Sequence, residues 1–241
     1  MNSRLELAAR NNALWCDTVC RTHGGITEMT EHVWFNRVNS PPFYPNVDTL
    51  TQAGVSAQMD AIQVLLAANL TDGWGVKDSF CTLDLAPLGF RLLFEAEWLW
   101  RPADFPAPFG EPWTIIRTPA ELVRWEAAWR GPDDPPLNLF LPALLENPDI
   151  AFLAAVREGQ IVAGAVANRT GDVVGLSNVF TPPGEKAPFW AGAIAAVQHK
   201  FPALPLVGYE SGYESGEELD LAQSLGFEAL GSLRVWLSRN L

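Results

Sequence analysis

The chain has little of what cross-linked, metal-bound and nucleic-acid-binding proteins depend on: three cysteines, three histidines and 16 basic residues in 241. Three cysteines make no even disulfide framework. Cys16 and Cys20 lie four apart in a predicted helix, a spacing that makes them neighbours on one face rather than a bridge. A metal centre would recruit His23 or His32, but no second paired-ligand motif accompanies them, so no metal is expected. No uninterrupted apolar run approaches the roughly 20 residues a membrane helix needs. The opening MNSRLELAARNNALW lacks the apolar core of a signal peptide. No membrane partner is therefore expected, and a reducing cytoplasm is the expected compartment. The shortage of basic residues against 28 acidic ones leaves a formal charge of −12, shared by both halves. Phosphate-backbone binding needs basic surface, so nucleic acid is not an expected partner, whereas a cationic small molecule suits this charge.

What is present is a succession of short elements. RPADFPAPFGEP, Arg101 to Pro112, carries four prolines and a glycine and reads as a linker between two halves, 1–105 and 111–241. After it, WTIIR (Trp113 to Arg117) reads as a strand. Thr118-Pro119 supplies an N-cap and a proline at the first helical position of a helix reaching Arg130. A short helix is expected over Leu137 to Glu146. Ile150 to Phe180 then reads as three antiparallel strands turned at Glu158-Gly159 and Thr170-Gly171. A helix near Phe189 to Lys200, a strand from Leu204 to Glu210, a further helix and a last strand, Ala229 to Ser238, complete the order. GYESGYESGEELDLAQSLGF holds two candidate capping boxes, Ser211/Glu214 and Ser215/Glu218. The apolar spacing of Leu219, Ala222 and Leu225 selects the second as the helix start.

The first half echoes the second. DLAPLGF matches DLAQSLGF, and VWFNRVNSPP (Val33 to Pro42) lies without gaps over VGLSNVFTPP (Val174 to Pro183), which suggests an internal duplication. The bland alternative is two α/β pieces that each end a helix with glycine. Trp98 and Trp100 flank Leu99 on a strand and Trp125 and Trp129 lie four apart on a helix, so the ten tryptophans read mainly as packing. His199, near a helix C-terminus, reads as a dipole partner.

The element order from Trp113 to Leu241, with its closing Leu225-Gly226-Phe227, resembles the GNAT superfamily of N-acetyltransferases, and the first half resembles a shortened copy of the same fold. The resemblance implies an α/β fold of tandem, mixed β-sheets with flanking helices. It also implies acetyl-CoA between a splayed fourth and fifth strand of the second half. Asn178, Val179 and Phe180 would then line the pantetheine arm and polarise the thioester carbonyl through backbone N–H groups. The pyrophosphate would sit on the loop with Gly184 and Lys186, at a helix start whose N–H groups and dipole attract anions. The sequence departs from the family pattern here: Ala187 and Phe189 fall where glycines are usual, and Pro188 removes one donor. Ala222 stands where many members carry a tyrosine acid. The expected acid is then Tyr213 and the expected base Glu210 or Glu214, with Tyr209 beside them at the strand end. No basic residue lies between Phe201 and Leu233, so this corner suits a small cationic amine as substrate. The competing reading for Glu214, as for Glu217, Glu218 and Asp220, is favourable placement at a helix N-terminus. The two functions that follow are an acyl-CoA-dependent N-acetyltransferase and a non-catalytic protein that uses the same cleft for ligands or partners.

Overall fold

The computed structural model describes residues 3–131, 134–210 and 217–238. The chain forms two compact units, one made of Met1–Leu99, Tyr209–Asp220 and Ala229–Leu241, the other of Trp100–Gly208 and Leu221–Glu228. Neither is contiguous in sequence. Ser211, Tyr213, Glu214 and Ser215, and with them both candidate capping boxes, lie outside the described residues.

The first unit opens with helix α1, Arg4–Thr22, capped reciprocally by Ser3 and Glu6. Its apolar face buries Ala13, Cys16 and Cys20 against Trp34 and Leu50. Short strands β1 (Thr27–Met29), β2 (Val33–Asn36) and β3 (Val47–Thr49) pair antiparallel in turn. Helix α2, Val55–Ala68, then carries the chain to β4, Gly75–Asp78, which pairs parallel with β3. A 3-10 turn, Ala86–Leu88, leads through Gly89, at φ 87°, into β5, Phe90–Arg101. Within this unit the strand order is β1-β2-β3-β4-β11-β5, where β11 is the last strand, Glu228–Ser238. β11 pairs antiparallel with β4, and its Arg234 meets Glu95 of β5 at 2.6 Å.

The second unit follows the expected order closely. β6 (Thr114–Ile115) is followed by α3 (Pro119–Arg130), with Thr118 and Glu121 closing a capping box ahead of Pro119. The expected helix over Leu137 to Glu146 is shorter, a 3-10 turn at Pro142–Glu146, because Pro142 fixes its start. β7 (Ile150–Arg157), β8 (Gln160–Thr170) and β9 (Val173–Phe180) form the antiparallel meander, turned at Glu158-Gly159 and Thr170-Gly171 as read from the sequence. Helix α4 spans Lys186–Lys200, β10 Leu206–Glu210 and α5 Glu217–Ser224. The order here is β10-β9-β8-β7-β6. Gly226, at φ 91°, ends the last helix, with Phe227 N–H donating to the Ala222 carbonyl.

The series strand, helix, parallel strand, short helix and long strand occurs twice along the chain, β3-α2-β4 leading into β5 and β9-α4-β10 leading into β11, although β11 belongs to the first unit. The gapless match of Val33 to Pro42 with Val174 to Pro183 does not mark equivalent strands. The strand that precedes the helix and lies parallel to the next one is β3, not β2. Residues 101–112 form no regular element apart from the end of β5, yet they are not a free tether. Gly110 and Gly192 allow this segment to lie on α4; a Cβ on Gly192 would come within 2.3 Å of the Glu111 carbonyl oxygen. Arg101, fully buried, donates to the carbonyls of Leu225 (2.8 Å) and Pro106 (2.6 Å) and so ties the segment to the end of α5.

The core of the second unit centres on Trp125, whose Nε1 donates to the Leu153 carbonyl at 2.8 Å and whose ring meets Phe140, Phe152 and Phe180 edge-on. Beside it, buried Glu126 accepts the backbone N–H groups of Leu137 (3.2 Å) and Phe140 (2.9 Å). Glu126→Ala strands those two donors. Urea unfolding followed by tryptophan fluorescence is expected to show a loss of about 2–4 kcal/mol, with Glu126→Gln losing less.

Candidate active site

Two places hold arrangements that packing alone does not require. The first lies at the end of β9. Pairing with β8 matches Val166 to Ser177 and then Gly164 to Phe180, so Asn178 and Val179 stand opposite a single residue. This is a β-bulge, and Asn178 occupies the left-handed region at φ 51°. Gly164 makes room for it, since a Cβ there would lie 2.2 Å from the Phe180 ring. On its other side β9 pairs with β10, among the described residues, at Val174 to Leu206 and Gly175 to Val207. β9 then runs on for five residues, Leu176 to Phe180, beyond the last registered parallel pair. A β-strand with an unmatched edge leaves backbone N–H and C=O groups available to a ligand.

The loop after β9 turns at Gly184, φ 78°, with the Glu185 N–H donating to Pro182 O at 3.2 Å. Lys186, Ala187 and Pro188 form an exposed first turn of α4. Phe189, which the sequence sets at a position usually occupied by glycine in the phosphate loop, is 0% exposed and packs with Ala155 and Ala163. It points into the core, and the Arg157 guanidinium covers its ring at 4.7 Å. The same guanidinium pairs with Glu185 (2.9 Å) and Glu111 (3.3 Å), which offsets the carboxylate standing at the helix N-cap. Ala222 is fully buried, so that position offers nothing to a cleft.

The second place is in the first unit. Tyr44, Lys77, Phe94, Tyr209 and Leu237 are among the residues that line a cavity of about 660 Å³. Gly75 and Lys77 on β4 pair with Leu237 and Val235 on β11, so these four positions share one face. Lys77 is only 4% exposed; its Nζ lies 2.5 Å from Asn12 Oδ1, 4.0 Å from Asp48 Oδ1 and 4.9 Å from the centre of the Tyr209 ring. Tyr209 in turn meets Trp98 edge-on at 5.4 Å. Asp48 is wholly buried, and neither of its oxygens accepts a hydrogen bond of ordinary geometry from the described residues. Burial pushes its carboxyl above the usual carboxylate range, against the pull of the Lys77 charge and the nearby Cys16 thiol. Burial alone would depress Lys77, but Tyr209, Asp48 and Cys16 outweigh it and hold the ammonium above its ordinary value.

Of the residues expected from sequence, Asn178, Val179 and Phe180 form the bulged end of β9, and Gly184 and Lys186 stand in the loop and first turn that follow. Tyr209 and Glu210 end β10, both half-buried, and Tyr209 is the one that lines the cavity. Tyr213 and Glu214 lie outside the described residues. The sequence reading missed Asn12, Cys16, Asp48 and Lys77. Its one available signal was Lys77 itself, the sole basic residue between Arg37 and Arg91 and set in an apolar strand.

A buried pair of this kind is costly to break on one side. Lys77→Met leaves the Asp48 carboxylate uncompensated and is expected to cost about 3–5 kcal/mol near neutral pH, with Asp48→Asn in the same chain recovering part of it. Because the folded Asp48 carboxyl lies above its unfolded value, the cost of ionising it is absent at low pH and grows as pH rises. The Lys77→Met defect is therefore expected to be smaller at about pH 4 than at about pH 8 in thermal unfolding.

No family profile matches the sequence, and no curated protein matches it. Solved structures do. A GCN5-related N-acetyltransferase from Kribbella flavida superposes with a TM-score of 0.62 at 16% identity, over 96% of this chain and 95% of that one. An acetyltransferase of the GNAT family from Colwellia psychrerythraea gives 0.54 at 10% identity, over 96% and 92%. A functionally unknown conserved protein from Staphylococcus epidermidis gives 0.64 at 11% identity, over 90% and 95%. At these identities the likeness is one of fold.

Proposed function

We propose, for a chain with the fold of GNAT acetyltransferases, that it is an acyl-CoA-dependent N-acetyltransferase acting on a small amine, cationic in solution. The observation that carries this reading is the end of β9: a bulge at Asn178 and Val179 on one side, and on the other an edge that runs five residues past its last pair with β10. An extended pantetheine arm with its two amides is the kind of ligand that pairs with such an edge.

The residues present suit acetyl-CoA. The backbone N–H groups of Val179 and Phe180 stand where the bulge breaks the ladder, and would polarise the acyl carbonyl. Gly184 and the first turn of α4, with exposed Lys186, would take the pyrophosphate, Pro188 contributing no donor. Phe189, buried among alanines, leaves that turn open. Acetyl-CoA supplies an acyl group activated as a thioester. The sequence reading gives Glu210 or Glu214 as the base that would take the proton from the incoming ammonium and Tyr213 as the acid that would protonate the leaving thiolate. The net charge of −12 favours approach of a cationic amine.

The second reading, a GNAT-like ligand-binding protein without catalysis, is favoured by buried Ala222 and by Pro188 at the helix start. Calorimetry separates the two. Acetyl-CoA is expected to bind saturably and Lys186→Ala to weaken it several-fold. Glu210→Gln is expected to lower kcat about 10²-fold while binding persists. Absence of saturable binding contradicts the transferase reading, and binding without turnover of any amine supports the second.

A further inference from the structure

The cavity of the first unit does more than accommodate the end of β10. Its floor is the face of β4 and β11 on which Gly75, Lys77, Val235 and Leu237 stand, and Phe94 and Tyr209 form apolar walls. Lys77 and Asp72 are the charged residues that line it. Asp72 is engaged by the side chain of Asn39, whose Nδ2 donates to it at 3.0 Å. The Lys77 ammonium has three hydrogens to place. One goes to Asn12 Oδ1 and the Tyr209 hydroxyl is an acceptor for a second; Asp48 at 4.0 Å is an ion-pair partner beyond hydrogen-bond range. A buried ammonium with donor capacity left over, in an apolar-walled cavity, wants an oxygen acceptor.

We propose that this cavity binds a small carboxylate with an apolar body, its oxygens reaching Lys77 Nζ and its body lying against Phe94, Tyr209 and Leu237. A cation placed there would face the Lys77 charge at close range, and a purely apolar molecule would leave the remaining donor unmet. Asp48, 4.0 Å from the lysine ammonium, is not itself part of the lining. Calling this molecule the acyl acceptor, an amine that also carries a carboxylate, rests on the transferase reading; its binding does not.

The test is calorimetry on the full chain without CoA, using 3-phenylpropionate, 3-phenylpropanamide and 3-phenylpropylamine as probes. The carboxylate is expected to bind saturably, about tenfold tighter than the amide, with the amine weaker than either. Lys77→Met is expected to erase the preference for carboxylate over amide. Should that variant not fold, a pair at Leu93, a lining residue 43% exposed, decides the matter. Leu93→Lys is expected to tighten 3-phenylpropionate and Leu93→Glu to weaken it, each several-fold. Equal or tighter binding of the amide or amine, no saturable binding of the carboxylate, or no opposite response of the Leu93 pair overturns the proposal. Acetyl-CoA binding to the same protein, measured separately, reports on the transferase reading alone.

Discussion

Parallel strands joined through a helix are held together only as far as their ladders reach, and here both ladders are short. β9 and β10 share two registered pairs, as do β3 and β4. In the second unit the consequence is a run of main chain, buried to half-buried, without a registered parallel partner. β9 continues to Phe180, and the bulge at Asn178 also breaks its pairing with β8. Backbone donors and acceptors cannot be left unmet at low cost, and the proposed acetyl-CoA arm is a molecule that brings its own amides and carbonyls to such a strand end. The glycines support that geometry. Gly164 yields to the Phe180 ring, while Gly208, where a Cβ would come within 2.8 Å of the Leu176 carbonyl oxygen, lets β10 stay close to β9 just past their last registered pair.

In the first unit the last registered pair of the parallel ladder joins Asp48 to Lys77, and burial turns that crossing into a charged cluster. Helix α1 completes it with Asn12 and Cys16, and Tyr209 closes it from the strand end. Such a pair contributes little net stability against an apolar replacement, because desolvation offsets its attraction. Its retention beside a cavity of about 660 Å³ is better accounted for by the ammonium it holds in place for a ligand.

Much of the second unit was legible in the sequence because its signals are local. Thr118-Pro119 and Glu121 form the expected cap, the two glycine turns fall at Glu158-Gly159 and Thr170-Gly171, and Leu225-Gly226-Phe227 closes a helix. What was not legible depends on direction and distance. Matching positions along the loop set Phe189 beside a phosphate, whereas the helix rotates that side chain into the core. The ten residues from Val33 matched those from Val174 in letter but not in topology, since strand pairing is fixed by partners far along the chain. Lys77 and Asp48 come from strands almost thirty positions apart, and nothing in either segment announces the other. The corner with Tyr213 and Glu214 was read as a capped turn with candidate catalytic groups, and it lies outside the described residues.

The account stands on the end of β9 and the start of α4 receiving acetyl-CoA. Backbone hydrogen exchange with and without acetyl-CoA tests this most directly. Added protection concentrated at Ser177 to Phe180 and at Gly184 to Phe189 is the predicted result. Exchange unchanged in both segments under saturating acetyl-CoA would contradict it.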